Sequence, residues 1–291
     1  MTDVQCLWAA GATLGEGPLW SPREAALYWV DIKAPALHRY RPEDGDKTSW
    51  AMPEPLGWVI ERANGEGLVA GFKDRGFAFL TPGTMAPEVI GQPEPDYPDN
   101  RFNDAKADAA GRIWAGTMDD NEREARGSLY RLDPDLDWHR VDKGYVVTNG
   151  PALSPDNAML YHTDTFEGTI YAFDVSKSGK LKNKRSFVTI PEGDGYPDGM
   201  TCDAEGYLWV AHWGGWRITR FTPAGQVDRV IEMPVSQVTS VAFGGPDLDR
   251  LFIPSASIGL SPERLEEQPL AGGLFELDPG VKGLRAGQFG G

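Results

Sequence analysis

Cysteine is nearly absent: Cys6 and Cys202 stand far apart, with no Cys-x-x-Cys pair and no Cys/His pairing at zinc-finger spacing. A disulfide scaffold and a cysteine-based zinc site are thereby excluded. Long apolar runs are missing too, and the roughly 18 consecutive apolar residues of a membrane-spanning helix occur nowhere. The first residues, MTDVQCLWAAGATLGEG, lack a basic start followed by an apolar core, so no secretory signal is expected. No long stretch places apolar residues at i, i+3, i+4 and i+7 between caps. Helices should therefore be few, the best candidate being a short turn near Ser261–Leu265. Basic residues are outnumbered, 28 against 43 acidic ones, and the net charge of -15 repels phosphate backbones and anionic membranes. Nucleic acid and membranes are excluded as partners on this ground, and a soluble cytoplasmic protein is expected. No Gly-x-Ser-x-Gly elbow and no Walker or dinucleotide glycine loop is present, and neither cysteine has a histidine nearby in sequence.

What is abundant is turn chemistry. Gly 35 and Pro 23, with 41% apolar residues, suit many short strands joined by tight turns in one domain spanning 1–291. Six apolar runs begin at Leu27, Leu68, Ile113, Leu160, Leu208 and Leu251, at intervals of 41, 45, 47, 48 and 43 residues. Each follows a turn signal, among them Ser154-Pro155-Asp156-Asn157, Asp108-Ala109-Ala110-Gly111 and Asp203-Ala204-Glu205-Gly206, and each precedes a second alternating run such as Gly127–Leu132. That period predicts an all-β, six-bladed β-propeller with four-stranded blades, because radial closure leaves no long exposed sheet edge. A solenoid would need polar capping repeats, which are not seen.

Three short segments carry an oxygen-bearing side chain before glycine at one register of this repeat: Gly15-Glu16-Gly17-Pro18, Thr148-Asn149-Gly150-Pro151 and Pro197-Asp198-Gly199-Met200. Glu16 precedes Leu27 by 11 positions, Asn149 precedes Leu160 by 11, and Asp198 precedes Leu208 by 10. Counting back similarly in the other repeats reaches the neighbourhood of Trp58, Asn103 and Ser240. Asn-Gly and Asp-Gly also form hairpin turns, which is the alternative for each dipeptide taken alone. The shared register instead predicts that Glu16, Asn149 and Asp198 converge at the central channel and hold a divalent cation. Two carboxylates and an amide suit Ca²⁺, Mg²⁺ or Mn²⁺, with Fe²⁺ and Zn²⁺ also compatible. Arg101 and Asn103 stand beside them as partners for sugar hydroxyls or a carbonyl. Alternatively, Arg101 pairs with Asp99 or Asp104 to hold a loop.

Together with Leu14–Pro18, Arg101–Asp104, Ala115–Met118, Thr148–Pro151, Pro197–Met200 and Gly272–Phe275, the chain resembles the senescence marker protein (regucalcin), gluconolactonase and luciferin-regenerating enzyme family. The resemblance runs from Leu14 to about Gly283 and is greatest to bacterial aldonolactonases, including xylonolactonases. It implies a divalent cation (Ca²⁺, Zn²⁺, Mg²⁺, Mn²⁺ or Fe²⁺) on Glu16, Asn149 and Asp198, lactone contacts from Arg101 and Asn103, and Asp198 as acid/base. Family members of the regucalcin type carry a substrate-contacting glutamate where the ungapped position here is Asn121, between Asp120 and Glu122. Tyr196 and His212–Gly215 are further differences that shape the pocket, with His212 expected to be structural. The implied activity is metal-dependent hydrolysis of a sugar lactone such as xylono-, arabino- or gluconolactone to the aldonic acid; a monomer is expected from the size of the propeller. Rival readings are a phosphotriester or organophosphate hydrolase on the same site, and a non-catalytic calcium-binding propeller.

Overall fold

The computed structural model describes residues 3–81 and 83–291. Its strands form six four-stranded sheets arranged in a ring, a six-bladed β-propeller. The six apolar runs lie in the second strands of the successive blades: Ala26–Asp31, Leu68–Phe72, Ile113–Asp119, Met159–Asp164, Leu208–Trp213 and Arg250–Pro254. They are the most apolar strands because each is covered on both faces, by the blade before and the blade after. Trp29, Trp114 and Trp209 from these runs, and Trp58 from an inner strand, are almost wholly buried between blades.

Burial falls outward along each blade. The inner strand Gly15–Ser21 is buried throughout, whereas the outermost strand Asp46–Ala51 alternates between half-buried and exposed residues. The turn signals also have side-chain work. Asp108 accepts a hydrogen bond from the Trp114 indole at 2.9 Å, and Asp203 accepts one from the Trp209 indole at 2.9 Å, each six residues downstream. A turn aspartate thus satisfies the buried indole N–H of the strand that follows it.

The ring is closed by the N-terminal strand Gln5–Trp8, which pairs antiparallel with Leu274–Leu277 and completes the sixth sheet. The helix expected near Ser261 spans Pro262–Glu267, with Ser261 accepting from the Arg264 N–H and proline in the first turn. Beyond the last strand the chain crosses the end of the ring opposite the donor residues. Phe289 is fully buried there and its N–H donates to the Glu61 carbonyl at 2.8 Å. No helix among the described residues is long and apolar enough to cross a membrane.

Candidate active site

The inner strands of the first five blades are Gly15–Ser21, Leu56–Glu61, Asn100–Ala107, Thr148–Leu153 and Tyr196–Cys202. Each loses register with its neighbour at one place: between Glu16 and Leu19, Leu56 and Trp58, Phe102 and Ala105, Asn149 and Ala152, and Pro197 and Met200. A bulge leaves a residue unpaired and re-aims its side chain. Here it occurs at the donor-glycine segments, so Asn149-Gly150 and Asp198-Gly199 are bulged strand positions and not hairpin turns. Gly17 and Gly150 have φ of 54° and 74°, values that favour glycine.

Glu16, Arg101, Asn103, Asn149 and Asp198 line one cavity of about 400 Å³ at this end of the channel. A second cavity of about 380 Å³ lies among inner-strand residues further along and the segment Leu284–Gly287, and none of the five reaches it. The Asn149 carboxamide is fixed on both sides. Its Oδ1 accepts from Asn103 Nδ2 at 2.9 Å, and its Nδ2 donates to Thr165 Oγ1 at 2.8 Å. Asn103 also donates to the Thr148 carbonyl at 2.6 Å and accepts from Arg101 Nη1 at 2.5 Å. Arg101 in turn donates from Nε to Asp120 Oδ1 at 2.5 Å, while Lys33 and Lys73 hold Asp120 at 2.7 and 3.1 Å. The loop partner of Arg101 is therefore Asp120 and not Asp99 or Asp104. Three cations on one carboxylate hold Asp120 well below the usual carboxylate range, against the opposing effect of its burial.

The carboxyls facing the cavity behave oppositely. Glu16 and Asp198 are buried, each accepting one backbone bond, from Gly17 at 3.1 Å and Gly199 at 2.9 Å. Burial, and then repulsion from neighbouring carboxylates, raises both well above the ordinary range. Asp104, absent from the expected set, adds to that repulsion. It is buried, and its Oδ2 has no partner among the described residues. Crowded, desolvated, hard oxygen donors of this kind fit a divalent cation, which would hold the carboxyls ionised and satisfy the orphaned negative charge. Among the described residues no three His, Cys, Asp or Glu side chains form a metal-binding group; the candidate donors that line the cavity are two carboxylates and an amide.

Around the mouth stand Phe166 and Tyr196, both more than half exposed, with ring centroids 6.5 Å apart, together with Trp213 and Glu122. Glu122, not Asn121, is the acid of that segment lining the cavity. His212 lies outside the lining, and its Nδ1 is 2.8 Å from the Asp194 carbonyl. Burial lowers His212 to a pKa of about 4 and the wholly buried His162 to about 3.

These two histidines make stability pH-dependent. The unfolded chain takes up a proton near its ordinary pKa of about 6.5, whereas the folded chain stays neutral until pH 3 to 4. Their contribution is present in full above pH 6.5 and declines, by up to about 1.4 kcal/mol per pH unit for each group, as pH falls toward those values. Denaturant unfolding at pH 7.5, 6 and 5 should show this slope. His162→Leu should reduce it by about one proton, and an unchanged slope would count against the assignment.

Gly199 tests how tightly Asp198 is held. Its N–H donates to the Thr239 carbonyl at 2.7 Å, and an added methyl group would collide with the Ser240 side chain and its Cα. Gly199→Ala is expected to cost about 1–3 kcal/mol by overpacking and to displace the adjacent carboxylate. A variant that unfolds at the parent's denaturant midpoint would show that the contact relaxes freely.

Residues 14–257 match the family described as the SMP-30/Gluconolactonase/LRE-like region. The chain is 37% identical to a pentonolactonase from Haloferax volcanii over 93% of this chain and 92% of that one. It is 35% identical to a 6-deoxy-6-sulfogluconolactonase from Pseudomonas putida over 99% of both. Its fold superposes on the crystal structure of a calcium-binding protein, regucalcin, from Agrobacterium tumefaciens, with a TM-score of 0.94, 27% identity, and coverage of 99% of this chain and 97% of that one. On the extent of these matches the chain belongs to the SMP-30/gluconolactonase/LRE-like family.

Proposed function

We propose that the protein hydrolyses a sugar lactone to its aldonic acid, using a divalent cation held by Glu16, Asn149 and Asp198. The observation that carries this reading is the convergence of two buried carboxylates and an amide, from three separate blades, on a cavity that also presents the Arg101 guanidinium. The sugar lactonases among its relatives supply the substrate class. When bound, the cation supplies Lewis acidity toward a carbonyl and a lowered pKa for water.

The chain's own residues do the rest. Asp120 holds Arg101 Nε, and Asn103 and the Phe102 carbonyl hold Nη1, so the guanidinium is fixed and Nη2 meets the lactone's oxygens with little orientational entropy left to lose. Asn103 also fixes the rotamer of Asn149, so its replacement acts on both. The Asp198 carboxylate takes a proton from the attacking water and returns it to the ring oxygen as the acyl–oxygen bond breaks. Trp213, Val147 and Ile258 wall the cavity and limit water around the ring.

The test is hydrolysis of xylono-, arabino- and gluconolactone by metal-stripped protein, with Fe²⁺, Zn²⁺, Mn²⁺, Mg²⁺ or Ca²⁺ restored one at a time and spontaneous opening subtracted. Turnover that depends on at least one cation is expected. Saturable calcium binding with no turnover on any lactone would leave a binding protein and overturn the catalytic reading. Turnover unaffected by chelation would remove the cation from it.

A further inference from the structure

Phe166 and Tyr196 have no part in the reading above, and their setting is unusual. Single apolar side chains on a surface are ordinary, whereas an exposed aromatic pair in a concavity marks a place that a ligand covers. These two are 53% and 51% exposed and line the same cavity as the candidate ligands. Exposure orders that lining by depth. Glu16, Asn149 and Asp198 are at most 5% exposed and lie deep, Trp213 and Ile258 are half-buried, and the two aromatic rings stand at the rim. Their planes are tilted by 39° with centroids 6.5 Å apart, too oblique to clamp a ring between them. They form adjacent panels of one wall.

The backbone beneath both rings is tied to the deep residues. Thr165, next to Phe166, accepts at Oγ1 from Asn149 Nδ2 at 2.8 Å and donates to the Pro197 carbonyl at 2.9 Å. Pro197 stands between Tyr196 and Asp198, and Tyr196 pairs with Trp213 in the strand ladder. A substrate whose lactone ring reaches the deep end therefore extends its far end onto the panels. The cavity's volume of about 400 Å³ is of the size that takes drug-sized ligands, whereas a monosaccharide lactone is one ring with its hydroxyls. A second sugar ring suits the remaining space. One face of a pyranose presents weakly positive C–H bonds, which match the negative face of an aromatic ring, and its hydroxyls meet Glu122 and Lys33, which line the same cavity. An alkyl chain would cover the rings but give nothing to those two charged groups.

We propose that Phe166 and Tyr196 are specificity-determining residues that bind a second sugar ring, so that the preferred substrate is the lactone of a disaccharide acid and not of a monosaccharide. The inference rests on the lactonase reading given under the proposed function and deepens it by naming the substrate class. Both rings act on the far end of the substrate, away from the reacting carbonyl, so their contribution is tighter binding, seen mainly in KM.

The test is steady-state hydrolysis of gluconolactone, of its forms carrying glucose on O4 (cellobionolactone) or O6 (gentiobionolactone), and of the alkyl-substituted δ-decalactone, with each cation supplied in turn and spontaneous opening subtracted. At least one disaccharide lactone should show a kcat/KM at least about fivefold above that of gluconolactone, the worth of covering the exposed halves of two aromatic side chains. Phe166→Ala and Tyr196→Ala should each lower kcat/KM for that substrate about 5- to 10-fold more than for gluconolactone, mainly through KM. Phe166→Tyr and Tyr196→Phe should retain the preference. A lower ratio for both disaccharide lactones, a preference for δ-decalactone, or alanine variants that lose both sugar substrates equally would overturn the inference while leaving the lactonase reading intact. The parent's substrate ratio decides the matter even where an alanine variant does not fold. No turnover of any lactone with any cation would remove the lactonase reading, and this inference with it.

Discussion

Asp198→Asn is expected to lower kcat/KM for aldonolactone hydrolysis at least about a thousandfold, because the two roles proposed for this carboxylate together account for about 4 kcal/mol of barrier. The substitution is nearly isosteric and retains an oxygen for the Gly199 N–H, so the bulge in Tyr196–Cys202 should persist. It removes a carboxyl that desolvation and repulsion from Asp104 hold well above its usual range and that in turn raises Glu16. The metal-free fold should therefore lose no stability, and the effect should appear in cation affinity and turnover together. Glu16→Gln should weaken cation binding to a similar degree but leave a residual rate at saturating cation, since the proton-transferring carboxylate remains. Lactone turnover by Asp198→Asn within tenfold of the parent would sink the assignment of that residue. Equal residual rates for the two variants would sink the division of roles between them.

The blade count and the convergence of three candidate donors on one cavity were legible in the sequence for one reason. A propeller repeats both its packing and its register, so each second strand shows as an apolar run and each candidate inner-strand donor sits 10 or 11 positions before it. Glu16, Asn149 and Asp198 could be placed by counting because the bulges in their strands fall at equivalent positions. The same bulges explain what counting missed. Strand alternation assigns Asn103 and Asp104 to opposite faces, and the register break that interrupts it is invisible in a single chain. In the sequence Asp120 reads only as a flank of Asn121, because its partners Lys33 and Lys73 lie 87 and 47 residues away in other blades, where no periodicity connects them.

Ring closure was hidden for a related reason. Gln5–Trp8 looks like an ordinary N-terminal strand, and its pairing with Leu274–Leu277 joins the two ends of the chain. The C-terminal crossing behind the ring likewise depends on Phe289 meeting a core built from blades two and three. Both contacts are long-range closures, set by the geometry of the whole ring and not by local pattern.

Arg220→Met should cost about 3–5 kcal/mol of folding free energy, the penalty for stranding a buried carboxylate. Asp203 is fully buried and accepts from Arg220 Nε at 2.8 Å and Nη2 at 2.7 Å. The same guanidinium reaches Glu205 at 2.6 Å and Asp228 at 2.9 Å and lies 3.7 Å from the centre of the Tyr207 ring. Methionine keeps much of the packing but leaves Asp203, among the described residues, only the Trp209 indole and the Glu205 and Tyr207 backbone N–H groups. Lysine is not expected to rescue, because one ammonium cannot serve three carboxylates in the plane of a fork. By contrast, breaking the exposed Arg185–Asp174 pair should change stability by less than about 1 kcal/mol. Chemical denaturation of both variants decides between these magnitudes. Adding Asp203→Asn to Arg220→Met should recover part of the loss, since it removes the stranded charge and leaves a neutral acceptor for the indole. If Arg220→Met costs no more than the surface pair, the network is an ornament of the turn, and the fifth blade is held by its apolar interfaces alone.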